Sequence, residues 1–183
     1  ICNSRIANYI MKKHSGMRPQ DIVVLLTIIT QGGDLWMMKD IAQEAYVSAS
    51  EVTESLNRSA KAGLVDKSKK KVMRHALLEF LTHGLRYVFP QEPGAIVRGV
   101  PTAFSASPLD RLIMSNEKLV WPYAKGKERG QSVEPLYPSV VEAALNKPEL
   151  YELLALVDAL RVGRVREQDL ANKELEKRIL NGR

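Results

Sequence analysis

Apolar residues recur at helical spacing along most of this chain, and strand-like alternation is confined to short stretches in its middle. Residues 22–30 form the first run, with Val23, Leu26 and Ile29/Thr30 directed to a core. Pro19 suits the first helical turn and Asp21 complements the helix dipole. Gln31, Gly32, Gly33 and Asp34 end the run. Leu35, Trp36 and Met37 then read as a short strand, with Trp36 a packing residue. Residues 39–45 make a short helix with Ile41, Ala42 and Ala45 on one side, and Tyr46 and Val47 break it. Ser48 opens a second helix, and Glu51 three residues on completes the capping-box pattern. Val52, Leu56 and Ala60 form its apolar stripe, and Gly63 stops it.

Beyond Gly63 the pattern is less regular. Leu64 and Val65 make a short apolar step, and residues 72–83 return to helical spacing through Val72, Ala76, Leu77, Phe80 and Leu81, with Gly84 as the stop. Tyr87, Val88 and Phe89 have strand character, Pro93-Gly94 is a turn, and residues 95–100 are a candidate partner strand; together these predict a hairpin that brings Arg86 and Arg98 together. Residues 109–119 fit a short helix or a strand. Residues 121–130 read as a loop carrying Trp121 and Tyr123 beside Lys125, Lys127 and Arg129, either a surface excursion anchored by its aromatics or a stacking platform for a nucleotide. Three helices close the chain, at 138–146 capped by Ser139, at 148–162 with a broad Leu/Val stripe, and at 164–180 with mixed charges. The fold class is mainly α with a small β component.

Charge alters this picture locally. The chain of 183 residues carries a net charge of +6. Residues 61–74 hold Lys61, Lys67, Lys69, Lys70, Lys71 and Arg74 against Asp66 alone, a local excess of +5 directly after the Ser48 helix. On that helix Ala49, Ser50, Thr53, Glu54, Asn57, Arg58 and Lys61 lie off the apolar stripe, and side chains of this kind can approach base edges in a major groove. The candidate DNA contacts are Ser48, Ser50, Thr53, Asn57, Arg58 and Lys61 on the helix, with Lys69, Lys70, Lys71 and Arg74 for the phosphate backbone. Glu54 is expected to pair with Arg58, its i+4 neighbour.

Other chemistries find little support. Cys2 is the single cysteine, so it can form no disulfide within the chain and no thiolate metal site by itself. His75 and His83 are too far apart on one helix to share a metal without a third ligand, and His14 has no partner at ligand spacing. No metal or cofactor is expected. Phosphate-loop, dinucleotide and zinc-protease motifs are missing, so no enzymatic role is expected, although acid–base pairs that assemble only in three dimensions leave no trace in a sequence. The longest apolar run, residues 22–29, is too short to span a bilayer and nothing resembles a signal peptide; the expectation is a cytoplasmic protein without a membrane partner.

Residues 40–65, DIAQEAYVSASEVTESLNRSAKAGLV, resemble the helix-turn-helix of winged-helix transcription regulators of the MarR-like type. The pattern RYVFP…RGVPTA…SPL, from Arg86 onward, is similar to one found in little-characterised regulators of that group. The resemblance implies a winged helix-turn-helix domain with a helical C-terminal part, the Ser48 helix as recognition helix, and a wing after Leu64-Val65. The rapid return to a helical pattern after Lys71 makes that wing short or missing. The expected organisation is an extension at 1–16 whose native origin is left open, a winged-helix-like DNA-binding domain at 17–106, and a mainly helical region at 107–183 for dimerisation or partner binding. The expected function is sequence-specific regulation of transcription on double-stranded DNA. A homodimer would set two recognition helices about 34 Å apart on a palindromic site. The alternative is an antitoxin-like or adaptor module that uses the winged helix to hold a protein partner.

Overall fold

The computed structural model describes residues 16–32 and 35–181. Residues 1–15 of the expected extension, with Cys2 and His14, lie outside the described residues.

Helix α1, Pro19–Thr30, is the centre of the molecule. Pro19 occupies its first turn with its φ already fixed, and the Asp21 carboxylate accepts the Arg18 N–H at 2.7 Å. Every residue from Asp21 to Ile29 is buried, so the helix is covered all round rather than on the one stripe of Val23, Leu26 and Ile29. Thr27 is tolerated there because its hydroxyl donates to the Val23 carbonyl. Helix α2, Met38–Glu44, and helix α3, Ala49–Lys61, pack on α1 and on each other. Helix α7, Pro148–Val162, covers α1 from elsewhere in the chain.

After α3 the chain makes a one-bridge hairpin, Val65 opposite Val72, and enters helix α4, Arg74–His83. Val72 therefore belongs to the bridge and not to the helix predicted from 72. A short helix α5, Leu85–Val88, follows where a strand over Tyr87–Phe89 is predicted. Two constraints explain the difference. Leu85 is fully buried on the same side as Leu81, which favours one more helical turn, and the strand partner expected for these residues pairs elsewhere. Leu35–Met37 likewise forms no strand; Trp36 is buried and its indole N–H donates to the Lys70 carbonyl at 3.0 Å.

The sheet has three strands, β1 Ile96–Pro101, β2 Leu119–Pro122 and β3 Glu128–Ser132. β1 runs antiparallel to both others, with Val100 opposite Trp121 and Arg98 opposite Arg129. β2 and β3 close the structure by parallel pairing, Leu119 opposite Gln131. Residues 123–127 form the loop between β2 and β3, while Trp121, Pro122 and residues 128–130 belong to the strands, and Trp121 is fully buried instead of presenting a stacking face. So small a closed sheet needs backbone against backbone. A Cβ on Gly126 would lie 2.1 Å from the Gly99 carbonyl oxygen, and one on Gly99 would lie 2.0 Å from the Trp121 carbonyl oxygen. Arg86 sits on α5 and Arg98 on β1, so the hairpin that would bring them together does not exist.

Helix α6, Val140–Asn146, leads into α7, and helix α8, Val165–Leu180, packs on α7 and α4 through Ala171, Leu175 and Ile179. Ser139 stands at the N-cap of α6 as expected, but its hydroxyl makes no bond to the helix; it donates to the Ala45 carbonyl at 3.1 Å and ties α6 to the end of α2. One hydrophobic core runs from Ile22 through Trp121 to Ile179. The boundary expected between 106 and 107 passes through the sheet, because β1 lies before it and both its partners after it. The coarse class stands: the chain is mainly helical with a small β component.

The sheet is joined to α7 by a buried polar knot. Asp158 accepts hydrogen bonds from Trp121 Nε1, from Thr102 Oγ1 at 2.9 Å, and from Arg161 Nη1 at 2.7 Å. Burial pushes the Asp158 carboxyl up, and the bonds from Arg161, Trp121 and Thr102 pull it part of the way back. Arg161 also donates to the carbonyls of Phe89 and Glu134, so one guanidinium gathers three segments. Replacing Asp158 with alanine leaves those donors unmatched in the interior. Urea denaturation of D158A is expected to show a loss of about 3–5 kcal/mol, the scale for removing one partner of a buried pair; a loss below ~1 kcal/mol would show that the knot contributes little.

Candidate nucleic-acid interface

Helix α3 carries the candidate residues, and its orientation is fixed from beneath. Ser48 caps it as expected, accepting the Glu51 N–H at 3.1 Å. The second half of the capping box is absent, because the Glu51 carboxylate bonds Arg58 and Gln20 instead. Val52 and Leu56 are buried, and so are Ser55 and Ser59. The inward face is therefore wider than the Val52–Leu56–Ala60 stripe, and its small hydroxyl residues let α3 lie close to α1.

Arg58 is the main correction. Expected to reach base edges or phosphate, it is 8 % exposed and bound from below. Its Nε donates to Asp21 Oδ2 at 2.9 Å and its Nη2 to Asp21 Oδ1 at 2.7 Å. Nη2 also donates to Glu51, so Arg58 pairs with Asp21 and Glu51, not with Glu54. The Asp21 bonds, against an opposing effect of burial, hold the guanidinium even more firmly protonated than a free arginine. Burial acts to raise the Glu51 carboxyl, but the bonds from Arg58 and Gln20 outweigh it and leave its pKa below the ordinary value. A guanidinium so engaged has no free fork for a base. Arg74 is corrected in the same way. Half-buried at the start of α4, it donates to the Ile179 carbonyl at 2.5 Å and ties α4 to the end of α8.

The remaining candidates stand together on one surface. Ser48, Ser50, Thr53 and Lys61 are exposed along α3, and Asn57 is half-exposed among them. Ala49 and Glu54 share this face. Thr53 donates to the Ala49 carbonyl at 3.1 Å, and the Ser48 and Ser50 hydroxyls lie 2.9 Å apart. Lys67, Lys69, Lys70 and Lys71 are exposed on the hairpin turn beside the helix. Lys69 Nζ donates to Asn57 Oδ1 at 2.5 Å, so the tip of the turn touches the middle of the helix face. A cleft lined by Trp36, Met38, Thr53, Leu56, Ser68, Lys69 and Lys70 separates the two.

Asp66 builds this turn, a role that goes beyond its place in the local charge balance. Its carboxylate accepts the backbone N–H groups of Lys70 and Lys71 at 2.8 Å each, the Ser68 N–H at 3.2 Å, and the Ser68 hydroxyl. Its own N–H donates to the Lys71 carbonyl at 2.9 Å. Lys69 takes a left-handed conformation, φ +59°, at the tip. Trp36 holds the turn from outside, with the Lys70 ammonium 5.5 Å from the centre of its ring. An Asp followed by Ser at the second position is the signal that identifies such a turn. The Ser68 hydroxyl, followed by the backbone N–H groups, pulls the Asp66 carboxyl down to about 2.

Among the described residues no three His, Cys, Asp or Glu side chains come together to hold a metal, and no helix is long and apolar enough to cross a membrane. Comparison with protein families, curated proteins and solved structures finds no match.

Two outcomes follow from these contacts. Arg58→Ala strips Asp21, which is fully buried, of its counter-charge. Chemical denaturation is expected to show a loss of about 3–5 kcal/mol, and a variant as stable as wild type would place Arg58 in the solvent. Asp66 has a depressed folded-state pKa, so its contribution to the turn is complete above the unfolded value near ~4 and is lost as pH falls through about 2. In a carboxyl-detected NMR titration, Ser68→Ala is expected to move the Asp66 midpoint upward; an unchanged midpoint would remove the hydroxyl as its chief cause.

Proposed function

We propose that this chain is a sequence-specific, double-stranded DNA-binding regulator of the MarR-like winged-helix type. The observation that carries the reading is the joint surface of α3 and the lysine turn. Short hydrogen-bonding side chains face outward along a helix with no large apolar group among them, and a turn with four exposed lysines stands directly beside it. The first suits base edges in a major groove and the second suits phosphates. The order α1, α2, tight turn, α3 and a one-bridge hairpin supports a winged helix with a much shortened wing.

In this reading α3 enters the groove with Ser50, Thr53 and Asn57 toward the bases. Ser48 lies at the helix start, and Lys61, Lys70 and Lys71 hold the backbone on either side. Arg58 and Arg74 act from within, by fixing the helices that carry the contacts. Glu54 disfavours non-specific approach of phosphate to the middle of the helix, which concentrates the attraction at its edges. A cytoplasmic homodimer reading two half-sites completes the proposal, because one helix and one short turn span few base pairs.

The test is a fluorescence-anisotropy titration on random and genomic upstream duplexes across a salt series. Binding is expected to weaken steeply with salt. The variant K61A/K70A/K71A is expected to lower the slope of log K against log salt by about 2–3, near 0.9 per lost phosphate contact. Footprinting is expected to show half-sites separated by about one helical turn. No binding at low salt would overturn the reading in favour of a protein-interaction module.

A further inference from the structure

The bond between Lys69 and Asn57 decides what Asn57 offers to a ligand. A side-chain amide has one oxygen that accepts and one nitrogen that donates, and an ammonium only donates. The atom bound to Lys69 Nζ at 2.5 Å is therefore the oxygen, Oδ1, and Nδ2 is left available. The backbone of the turn brings the two residues side by side. Lys69 sits at the tip of the turn with φ +59°, its N–H donates to the Asp66 carbonyl at 2.9 Å, and the Asp66 carboxylate holds the next two N–H groups. Trp36 fixes the Lys70 carbonyl from the other side. Lys69 is thus delivered to Asn57 by a turn anchored on both flanks.

The usual asparagine contact to adenine needs both ends of the amide, with the oxygen accepting from N6 and the nitrogen donating to N7. Here the oxygen already has a cationic donor. An adenine amine is left with the second lone pair of that oxygen, next to a positive charge that its own hydrogens do not favour. Guanine presents the opposite edge, with two adjacent acceptors, O6 and N7. Asn57 Nδ2 and the remaining Lys69 N–H groups are all donors and match it.

We propose that Asn57 and Lys69 act as one unit that selects guanine over adenine at the base pair facing the middle of α3. This rests on the duplex-binding reading above and adds the identity of one base to it. Lys69 serves Asn57 here, and Lys61, Lys70 and Lys71 serve the phosphates.

Selection from a random duplex library, read by sequencing, tests the unit with wild type, N57A, K69M and K70M. The three substituted residues are exposed or half-exposed, and thermal denaturation verifies that each variant folds. Wild type is expected to enrich guanine at one position of each half-site. N57A is expected to flatten that position alone. K69M removes the donor but keeps the length of the side chain, and the guanine-to-adenine ratio is expected to fall about tenfold as the amide regains its adenine contact. K70M is expected to lower affinity at every sequence and leave the preference intact. Adenine at the Asn57-dependent position in wild type, or an unchanged ratio in K69M, would overturn the unit while leaving duplex binding in place. A wild type that enriches no sequence would overturn site-specific recognition, and the unit with it.

Discussion

A guanidinium leaves water only where carboxylates meet it, and the surface of this protein depends on one such meeting. Arg58 on α3 is clasped by Asp21 on α1 and by Glu51 one turn from the start of its own helix. Asp21 also receives the N–H of Arg18 at the start of α1. A single pair of charges therefore sets where α1 begins and how α3 lies across it. The net stabilisation of such a pair is modest once desolvation is counted, and its geometric demand is strict. α3 can roll little about its axis without pulling a charge off its partner. The row of Ser50, Thr53 and Asn57 consequently keeps a constant direction, and preorganisation of this kind lowers the cost of binding.

The C-terminal half applies the same device at a greater distance. Asp158 on the buried helix α7 draws Trp121, Thr102 and Arg161 together, and Arg161 reaches the ends of two further segments. The three-stranded sheet is too small to enclose a core, and it is held by this knot and by glycines that let strands touch. Because α7 also packs on α1, the sheet and the outer face of α3 rest on one scaffold. The lysine turn is the one part of that surface held mainly by its own contacts, through Asp66 and Trp36.

Periodicity in the sequence was enough to place α2, α3, α6, α7 and α8, because each has an apolar stripe long enough to count. It was also enough to mark the outward side of α3. Arg58 was read as a DNA contact because its partner lies 37 residues away, and no local pattern announces a pairing of that range. The width of the buried face of α3 was hidden as well, since Ser55 and Ser59 are polar in any hydropathy reading. Tyr87–Phe89 has strand composition, yet strand pairing is a long-range choice, and β1 found partners further down the chain. The return to helical spacing after Lys71 leaves room for a short wing or for none. What forms there is one bridge, Val65 opposite Val72, closed by an aspartate-centred turn. The link between Lys69 and Asn57 spans two elements and appears only once the turn is folded.

In the proposed function a duplex docks on the α3 face and the lysine turn. The most direct measurement is an amide NMR titration of the protein with a duplex it binds, mapping shifts residue by residue. The expected perturbations centre on Ser50, Thr53, Asn57 and Lys61 and on the turn from Lys67 to Lys71, with the sheet and α8 unmoved. Perturbations concentrated on β1–β3 or α8, with the α3 face silent, would contradict it.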